Sequence, residues 1–304
     1  MAVDLTVNIG AWQLANPIMT ASGTFGYGEE FSDFVELDKL GAIVVKGISV
    51  EPRSGNPPPR VVETACGMLN AIGLENKGLA HFIDQKIPML AQTGAAVVAN
   101  ILGDQVADYG EISGALDEQE VIRAIEVNIS CPNVKKGGVA FGTQPAMAAK
   151  VTRAVRRATS KPVIVKLSPN VTDITEIARA VAHEGADGLS LINTLLGMAI
   201  DARSRRPKLA NVVGGLSGPA IKPVALRMVY QVAQATDLPI IGIGGISTAS
   251  DVVEFLIAGA SAVQVGTANF INPGVSGQLV DELRNFLEQE GLDSVRELTG
   301  SLIT

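Results

Sequence analysis

The stretch PIIGIGGISTASDVVEFLIAGASAVQVGT, residues 239–267, combines two apolar segments with a helical pattern between them. The segments 239–245 and 261–267 are short and mostly apolar, which is typical of strands buried on both faces of a parallel sheet. Segment 248–260 starts with a threonine, has apolar residues at helical spacing and carries a glycine close to its end. The stretch therefore predicts a strand, a helix and a second strand parallel to the first.

The same alternation extends over the rest of the chain. Helical patterns occupy 172–186, where a threonine is the expected cap, and 219–236; further strand-like runs occupy 16–22, 41–47, 95–101, 124–130, 162–168 and 187–193. Eight strands with helices between them, in 304 residues, predict a (β/α)8 TIM barrel that forms a single domain over 1–304. A doubly wound open sheet is the alternative, but it usually has a GxGxxG motif after its first strand. Here the glycines cluster after the seventh and eighth strands instead.

One long insertion, residues 51–78, interrupts the alternation after the second strand and contains a run of three prolines. An insertion on the C-terminal side of a barrel strand lies over the C-terminal face, where active sites are built. A disordered loop is the alternative. The segment NAIGLEN (70–76) argues against complete disorder because it mixes apolar side chains with amides.

The composition argues against several classes of protein. Hydrophobic residues make up 47 % of the chain, so a sizeable core can be buried. A net charge of −7 without a long basic cluster argues against non-specific nucleic-acid binding. Two cysteines and two histidines provide neither a disulfide framework nor a metal-binding pattern. The sequence has no signal-peptide pattern and no apolar run of about 18 residues, so we expect a cytoplasmic protein without a membrane span.

Polar residues lie at the ends of several predicted strands. Lysines and amides are costly inside a core unless they are hydrogen-bonded, and the C-terminal ends of barrel strands converge on one face. Several such residues around one ring predict a binding site, although a buried salt bridge is the alternative for each lysine. These residues are Lys46, Asn100, Asn128, Lys166 and Asn193.

Glycines follow the seventh and eighth strands, close to a helix that Ser247 or Thr248 caps. Free backbone N–H groups at a helix N-terminus attract phosphate, and this is the usual phosphate position in a TIM barrel. Simple tight turns are the alternative. The residues of the predicted phosphate cradle are Gly218, Gly244, Gly245, Gly266 and Thr267.

Cys131 follows the fourth strand in the motif NISCPN (128–133). A free thiol, with an ordinary pKa of about 8.5, can act as a nucleophile or a general base, or it can pack as a small apolar residue. Its place at a strand end, before a basic and glycine-containing stretch, favours a catalytic role. Cys66, in the insertion, has no such setting, and we assign it no role.

Seven motifs occur in order along nearly the whole chain: VVKG (44–47), NAIGLEN (70–76), NISCPN (128–133), VIVKLS (163–168), INT (192–194), GIGGI (242–246) and VGT (265–267). Together they resemble the dihydroorotate dehydrogenase family. The form NAIGLEN points to the class 1B, NAD-linked branch, in which a catalytic subunit works with an electron-transfer subunit.

The resemblance implies FMN-dependent oxidation of (S)-dihydroorotate to orotate in de novo pyrimidine (UMP) biosynthesis. It implies one FMN per chain, in contact with Ser22, Lys46, Gly47, Asn100, Asn128, Lys166, Ile192, Gly218, Gly244, Gly245, Gly266 and Thr267. It implies a substrate in contact with Lys46, Asn70, Ala71, Ile72, Gly73, Leu74, Asn128, Asn133, Asn193 and Thr194.

The resemblance also assigns catalytic roles. Cys131 would be the general base that removes the proton from C5 of dihydroorotate, while the hydride from C6 passes to flavin N5. Lys166 would stabilise negative charge on the reduced ring, and Lys46 would pair with an anionic group. Residues 134–142 would form a lid with hinges at the two adjacent glycines, 137 and 138.

The expected partner is a subunit that carries FAD and a [2Fe–2S] cluster and passes electrons to NAD. The resemblance implies a heterotetramer of two catalytic and two electron-transfer subunits around a homodimeric core. Three alternatives are open: a fumarate-linked class 1A homodimer, a phosphate-sugar lyase or isomerase with a lysine Schiff base on the same barrel, and a non-catalytic flavin-binding scaffold.

Overall fold

The computed structural model describes residues 3–130 and 141–304 and has a parallel sheet of short strands at its centre. The strands are β1 Val7–Ile9, β2 Trp12–Leu14, β3 Ile18–Thr20, β4 Ile43–Val44, β5 Val61–Thr64, β6 Gly67–Asn70, β7 Val97–Ile101, β8 Ile122–Asn128, β9 Val163–Lys166, β10 Gly188–Leu191, β11 Leu195–Met198, β12 Ile200–Asp201, β13 Arg206–Pro207, β14 Val213–Ser217, β15 Ile240–Ile243 and β16 Ala262–Val265. The helices are α1 Gly78–His81, α2 Ile87–Leu90, α3 Val106–Asp117, α4 Pro145–Ala158, α5 Ile174–His183, α6 Lys222–Ala233, α7 Ala249–Ile257, α8 Ala268–Ile271 and α9 Val275–Glu290.

The central sheet is a closed barrel. Its eight strands are β3, β4, β7, β8, β9, β10, β15 and β16, and they follow one another around the ring in chain order. β16 pairs with β3, and the N–H groups of Gly41 and Thr20 donate to the carbonyls of Ile18 and Ala42 at 2.8 and 3.2 Å, which joins β3 to β4. A closed parallel ring in this order is a (β/α)8 barrel and not a doubly wound sheet, so the predicted fold is confirmed.

The barrel strands are buried on both faces. Every residue of β9 (VIVK), β15 (IIGI) and β16 (AVQV) is buried, because one face fills the barrel interior and the other packs against helices. Phe255 of α7 lies directly over Gly242 of β15, where a Cβ would overlap the ring. The glycine in this strand therefore permits close packing between helix and sheet.

Two helix starts test the predicted caps. α7 begins after Thr248, whose hydroxyl accepts a hydrogen bond from the N–H of Asp251 at 3.2 Å, as expected. α5 begins after Asp173, whose carboxylate accepts from the N–H of Thr175 at 2.8 Å. The expected threonine cap at Thr172 is therefore wrong. A carboxylate one residue later bonds the same end and also stabilises the positive end of the helix dipole.

A hairpin packs against the N-terminal end of the barrel. β1 and β2 pair in antiparallel fashion, and Ile9 is fully buried. A Cβ on Gly188, the first residue of β10, would lie 2.9 Å from Ile9 Cγ2. This end of the barrel is thus covered by the chain itself, which leaves the C-terminal end for ligands.

A four-stranded antiparallel sheet, which we call the mouth sheet, is built from loops on the C-terminal side of the barrel. Its order is β11–β14–β6–β5. β5 and β6 come from the insertion after β4, whereas β11 and β14 come from the segment between β10 and α6. The insertion is therefore ordered by pairing with another loop, and it lies on the predicted side of the barrel.

Within residues 3–130 and 141–304, each helix is too short or too polar to cross a lipid bilayer.

Candidate active site

Asn100, Asn128 and Lys166 lie near the C-terminal ends of three neighbouring barrel strands. They belong to β7, β8 and β9, which pair in parallel, and Asn128 lies opposite Lys166 in the register. At most 7 % of each residue is exposed. Asn128 and Lys166 therefore lie side by side at the C-terminal end of the barrel, and Asn100 lies opposite Glu126, two residues before Asn128. Each of these buried side chains needs a hydrogen-bond partner.

The Lys166 side chain contacts two residues from other strands and loops. Its Nζ lies 3.2 Å from Ser22 Oγ and 3.5 Å from Glu126 Oε2. The buried salt bridge considered for this lysine is thus present. An ammonium has three N–H donors, so Lys166 can still donate to one further acceptor.

Lys46 is half-buried, and its ammonium has no hydrogen bond or ion pair within residues 3–130 and 141–304. Burial lowers the pKa of this ammonium, and Glu75 and Glu30 oppose the effect through longer-range attraction. A Cβ on the next residue, Gly47, would lie 3.0 Å from Asn100 Oδ1. An unpaired cation next to a buried amide suits an anionic ligand.

Asn193 and Thr194 follow β10 and face the end of β8. Asn193 Nδ2 lies 3.4 Å from Asn128 Oδ1, and the N–H of Thr194 donates to Asn193 Oδ1 at 2.8 Å. Asn170, which we did not predict, donates from Nδ2 to the Thr194 carbonyl at 3.0 Å. Ile192 is buried, and its N–H donates to the carbonyl that ends β15 at 3.0 Å. The two predicted amides thus lie together, and a third amide fixes the loop.

The segment 70–74 lies in and next to the mouth sheet. Asn70 is opposite Gly215 of β14, and its Nδ2 lies 3.4 Å from the Gly215 carbonyl. A Cβ on Gly215 would overlap the Thr194 side chain, so Thr194 lies against the same strand. Leu74 has a φ of +58°, which is uncommon for a bulky residue and is often found at functional sites. The sheet therefore brings two parts of the predicted substrate site together.

The predicted phosphate cradle is a cluster in the structure. Gly218, Gly244 and Gly245 have φ angles of +95°, +132° and +75°, which favour glycine. A Cβ on Gly245 would lie 3.1 Å from the Gly218 carbonyl oxygen, so the two glycine loops touch. The hydroxyls of Thr267 and Ser217 are 2.8 Å apart, which brings the end of β16 to the same place.

Backbone donors in this cluster are available. No described residue accepts a hydrogen bond from the N–H groups of Gly245, Gly266 or Thr267. A Cβ on Gly266 would come no closer than 3.5 Å to another part of the chain. Backbone N–H groups without a partner among the described residues provide the chemistry that binds a phosphate.

The N-terminus of α7 differs from the expectation. Asp251 Oδ2 accepts from the N–H groups of Ser247 and Thr248 at 2.9 and 2.8 Å, and Oδ1 accepts from Lys222 Nζ at 2.6 Å. Burial raises the pKa of the Asp251 carboxyl, but the Lys222 ammonium and the surrounding donors outweigh it and leave the pKa below its ordinary value. A carboxylate of this chain already occupies these N–H groups, so the free donors lie in the glycine loops.

Cys131, Asn133 and the lid residues 134–140 lie outside the described residues. The described part ends at Ser130, whose Oγ donates to the Lys166 carbonyl at 3.1 Å and whose N–H donates to Asn128 Oδ1 at 3.2 Å. The chain therefore leaves β8 beside two of the predicted polar residues.

The comparison with protein families agrees with this arrangement. A family model described as dihydroorotate dehydrogenase matches residues 4–287. The chain belongs to the dihydroorotate dehydrogenase family. The resemblance that the seven motifs indicated is thereby confirmed.

Similar dihydroorotate dehydrogenases match nearly the whole chain. A protein of Pelobacter propionicus is 58 % identical over 302 residues, which cover 99 % of both chains. A protein of Geobacter sulfurreducens is 58 % identical over 299 residues, with 98 % of both chains covered. A protein of Bacteroides thetaiotaomicron is 56 % identical over 299 residues, covering 98 % of this chain and 99 % of the relative. Each of the three is named dihydroorotate dehydrogenase B (NAD(+)), catalytic subunit.

The dihydroorotate dehydrogenase barrel also contains a polar residue that motif reasoning missed. Glu126 is fully buried in β8, two residues before Asn128. Residues two apart on a strand share a face, so a glutamate in the apolar run AIEVNIS must lie on the same face as the predicted asparagine. This spacing was the available signal.

Proposed function

We propose that this chain is a catalytic subunit that oxidises (S)-dihydroorotate to orotate in de novo pyrimidine biosynthesis and passes the electrons to NAD through a partner subunit. The observation that carries the proposal is the gathering of Lys46, Asn128 and Lys166 at the same end of the barrel as the glycine loops. The 58 % identity to a full-length relative with the corresponding name supports it. In this proposal residues 1–304 form one FMN-binding domain that works in the cytoplasm.

The residues at the barrel mouth fit FMN. The free N–H groups of Gly245, Gly266 and Thr267 suit its phosphate. Gln264 Oε1 is buried without a hydrogen-bond partner among the described residues, so it can accept a hydrogen bond from a bound ligand. The third N–H of Lys166 suits an electron-rich ring. When bound, FMN supplies a two-electron acceptor for hydride. The proposed contact set is Ser22, Lys46, Gly47, Asn100, Asn128, Lys166, Ile192, Gly218, Gly244, Gly245, Gly266 and Thr267.

Dihydroorotate offers a carboxylate and a ring with amide edges, and the chain has groups that match both. The Lys46 ammonium, which has no partner among the described residues, suits the carboxylate, and its partial burial strengthens such a pair. The amides of Asn128 and Asn193 each donate and accept, so they can pair with amide edges and fix the orientation of the ring. The segment 70–74, Thr194 and Asn133 complete the proposed substrate site.

Cys131 is the proposed base, with Lys46 and Lys166 as the other catalytic residues. The thiolate takes the proton from C5 of the substrate, Lys46 orients the substrate carboxylate, and Lys166 offsets negative charge. Support for Cys131 comes from its neighbour: Ser130 is hydrogen-bonded to Asn128 and to the Lys166 carbonyl. Ser130, the residue before Cys131, thus lies at the end of the barrel where the other proposed residues lie.

The proposed partner is an electron-transfer subunit that carries FAD and a [2Fe–2S] cluster, in a heterotetramer built around a homodimer of this chain. The name "catalytic subunit" of the relatives supports a partner. The surface also supports association: Leu196 and Met198 of β11 and Ile200 of β12 are 54, 50 and 57 % exposed. A group of exposed apolar side chains of this kind is typical of a protein interface.

The test is anaerobic reduction of the FMN-loaded, full-length chain by dihydroorotate, followed by addition of an acceptor. We expect dihydroorotate to bleach the flavin absorbance, and we expect turnover with NAD only after the electron-transfer subunit of the same organism is added. Rapid turnover of the lone chain with fumarate would favour the class 1A reaction. A chain that binds no flavin would contradict the proposal and favour a flavin-independent lyase or isomerase.

Cys131→Ser tests the base, and Cys66→Ser is its matched control because Cys66 is exposed in the β5–β6 hairpin. We expect slow flavin reduction in Cys131→Ser at pH 7 that recovers as the pH rises, since an alcohol is a much weaker acid than a thiol. Cys66→Ser should keep the wild-type rate and pH profile. An unchanged pH profile in Cys131→Ser would count against the assignment of the base.

A further inference from the structure

Glu126 is a carboxylate in the interior of the barrel. It is 0 % exposed and lies in β8 between Ile125 and Val127, which are also fully buried. An unpaired carboxylate in such surroundings would be very costly, so its partners must satisfy it.

Four side chains from four other strands surround this carboxylate. Oε1 accepts from Ser190 Oγ at 2.8 Å and from Gln264 Nε2 at 2.7 Å. Oε2 accepts from Asn100 Nδ2 at 2.6 Å and from Lys166 Nζ at 3.5 Å. A carboxylate has about four acceptor positions, so Glu126 is fully satisfied and links β8 to β7, β9, β10 and β16.

The hydrogen bonds to Glu126 determine which polar atoms of Asn100, Gln264 and Lys166 can still bind a ligand. Because the Asn100 amide nitrogen donates to Glu126, its Oδ1 is free to accept, and this oxygen lies 3.0 Å from the position of a Cβ on Gly47. Gln264 likewise keeps Oε1 without a partner in the described part of the chain. Lys166 keeps one N–H after its contacts with Glu126 and Ser22.

The negative charge of Glu126 also acts on the Lys166 ammonium. Lys166 has one anionic neighbour among the described residues, and the pair is almost completely buried, with 6 % and 0 % of the two side chains exposed. A buried charge is screened far less than one in water. Glu126 therefore cancels part of the field that Lys166 exerts on any group bound beside it.

We propose that Glu126 is a positioning residue of the flavin site: it fixes the orientations of Asn100, Gln264 and Lys166 and limits how strongly Lys166 favours the reduced over the oxidised flavin. This inference rests on the proposed function, since it requires FMN to bind at this end of the barrel. Glu126 acts through its neighbours and is not itself a catalytic residue.

The test compares the full-length, FMN-loaded wild-type chain with Glu126→Gln by anaerobic redox titration against a reference dye. Glutamine keeps the size of the side chain and removes the charge, so we expect at least a tenfold increase in the affinity for reduced relative to oxidised FMN. For a two-electron couple, this is an upward shift of about 30 mV in midpoint potential. The affinity for oxidised FMN, measured by fluorescence quenching of the free flavin, should fall. The amide of a glutamine at position 126 has a donor in place of one acceptor, so it can no longer fix the orientations of both the Asn100 and the Gln264 amides.

Ser190→Ala is the matched control. It removes a neutral donor from the same carboxylate without changing the charge, so its ratio of reduced to oxidised FMN affinity should stay within twofold of wild type. Should Glu126→Gln fail to fold, Glu126→Asp carries the test: it keeps the charge but withdraws it from Lys166, and it should shift the potential in the same direction by a smaller amount.

A purely structural role would lower the stability of the variants and leave the potential unchanged. The inference is overturned if, in every Glu126 variant that folds, the ratio of reduced to oxidised FMN affinity stays within twofold of wild type. A wild-type chain that binds no FMN would instead overturn the proposed function, so the two failures are distinguishable.

Discussion

Replacing Asp251 with alanine tests the loop that follows β15. In the wild type, one carboxylate oxygen accepts from the N–H groups and the hydroxyls of Ser247 and Thr248 at 2.8 to 3.1 Å, and the other accepts from Lys222. Alanine leaves two backbone donors of the helix start without a partner. It also leaves Lys222 with Glu254, at 2.9 Å, as its remaining anionic partner.

The expected loss of stability follows from these contacts. An N-terminal capping interaction contributes about 0.5–2 kcal/mol, and hydrogen bonds to a charged group contribute about 1.5–3 kcal/mol each when they are buried. Because water can reach part of this loop, and because Lys222 keeps a second partner, we expect a total loss of about 2–4 kcal/mol. For a chain of this size, the melting temperature should fall by about 3–8 °C.

The assay is urea denaturation of the apo-protein followed by circular dichroism, together with the dissociation constant of FMN. The loop lies directly after Gly244 and Gly245, so its loosening should also weaken FMN binding by about tenfold, which corresponds to about 1.4 kcal/mol. Asp237→Ala is the control, because Asp237 is exposed. The stability argument is refuted if Asp251→Ala and Asp237→Ala unfold within about 0.5 kcal/mol of each other.

Three further predictions concern other parts of the chain. Lys46→Met should stabilise the apo-protein at pH 7, because burial lowers the pKa of this ammonium and so disfavours its charged form. The gain in the free energy of unfolding, measured by urea denaturation at several pH values, should shrink as the pH rises towards 10.5, the ordinary lysine value. Gly291→Ala should lose about 1 kcal/mol of stability, since its φ angle is +70° and its Cβ would meet open space. Gly245→Ala should lose more, since its φ angle is +75° and its Cβ would also lie 2.8 Å from Lys222 Cβ. Only Gly245→Ala should weaken FMN binding, because Gly291 lies at the end of α9 and not in the glycine loops; equal FMN affinities would contradict the cradle. The N–H and hydroxyl of Thr6 and the nearby Arg296 lower the pKa of Asp4 to about 2, so its contribution to stability is present at pH 6, well above the ordinary pKa of 3.8, and is lost as the pH falls through about 2. In acid unfolding, the difference between Asp4→Asn and wild type should therefore be full at pH 6 and shrink steadily as the pH falls to 2.

Much of the barrel could be predicted because its signals are local. The strand around residue 163 reads VIVK, and each of its residues is buried. A run of this type has few alternatives to a strand covered on both faces. The polar strand ends could be predicted for the same reason, since Lys166 and Asn128 interrupt apolar runs and parallel strands bring such residues to one edge.

What could not be predicted depends on pairing between distant segments. The mouth sheet joins Asn70 to Gly215, which are far apart in the chain, and no local pattern in the insertion specifies that partner. The competition between Thr172 and Asp173 for the start of α5 is decided by one residue of register, which sequence patterns resolve poorly. Glu126 was overlooked because a single charge in an apolar strand becomes meaningful only when its four donors, on four other strands, are known.

The mouth sheet also connects two regions that sequence order keeps apart. At the turn of the β5–β6 hairpin, the Cys66 carbonyl accepts from the N–H of Ala220, and Gly67 lies against Gly218 so closely that a Cβ on Gly218 would be 2.7 Å from its Cα. At the other end of the same hairpin, Asn70 is paired with Gly215 next to Thr194. The backbone hydrogen bonds of the mouth sheet thus connect the segment proposed to bind the substrate with the segment proposed to bind the FMN phosphate. Changes in hairpin length between related chains should therefore alter both affinities together, because neither segment can shift without carrying the other.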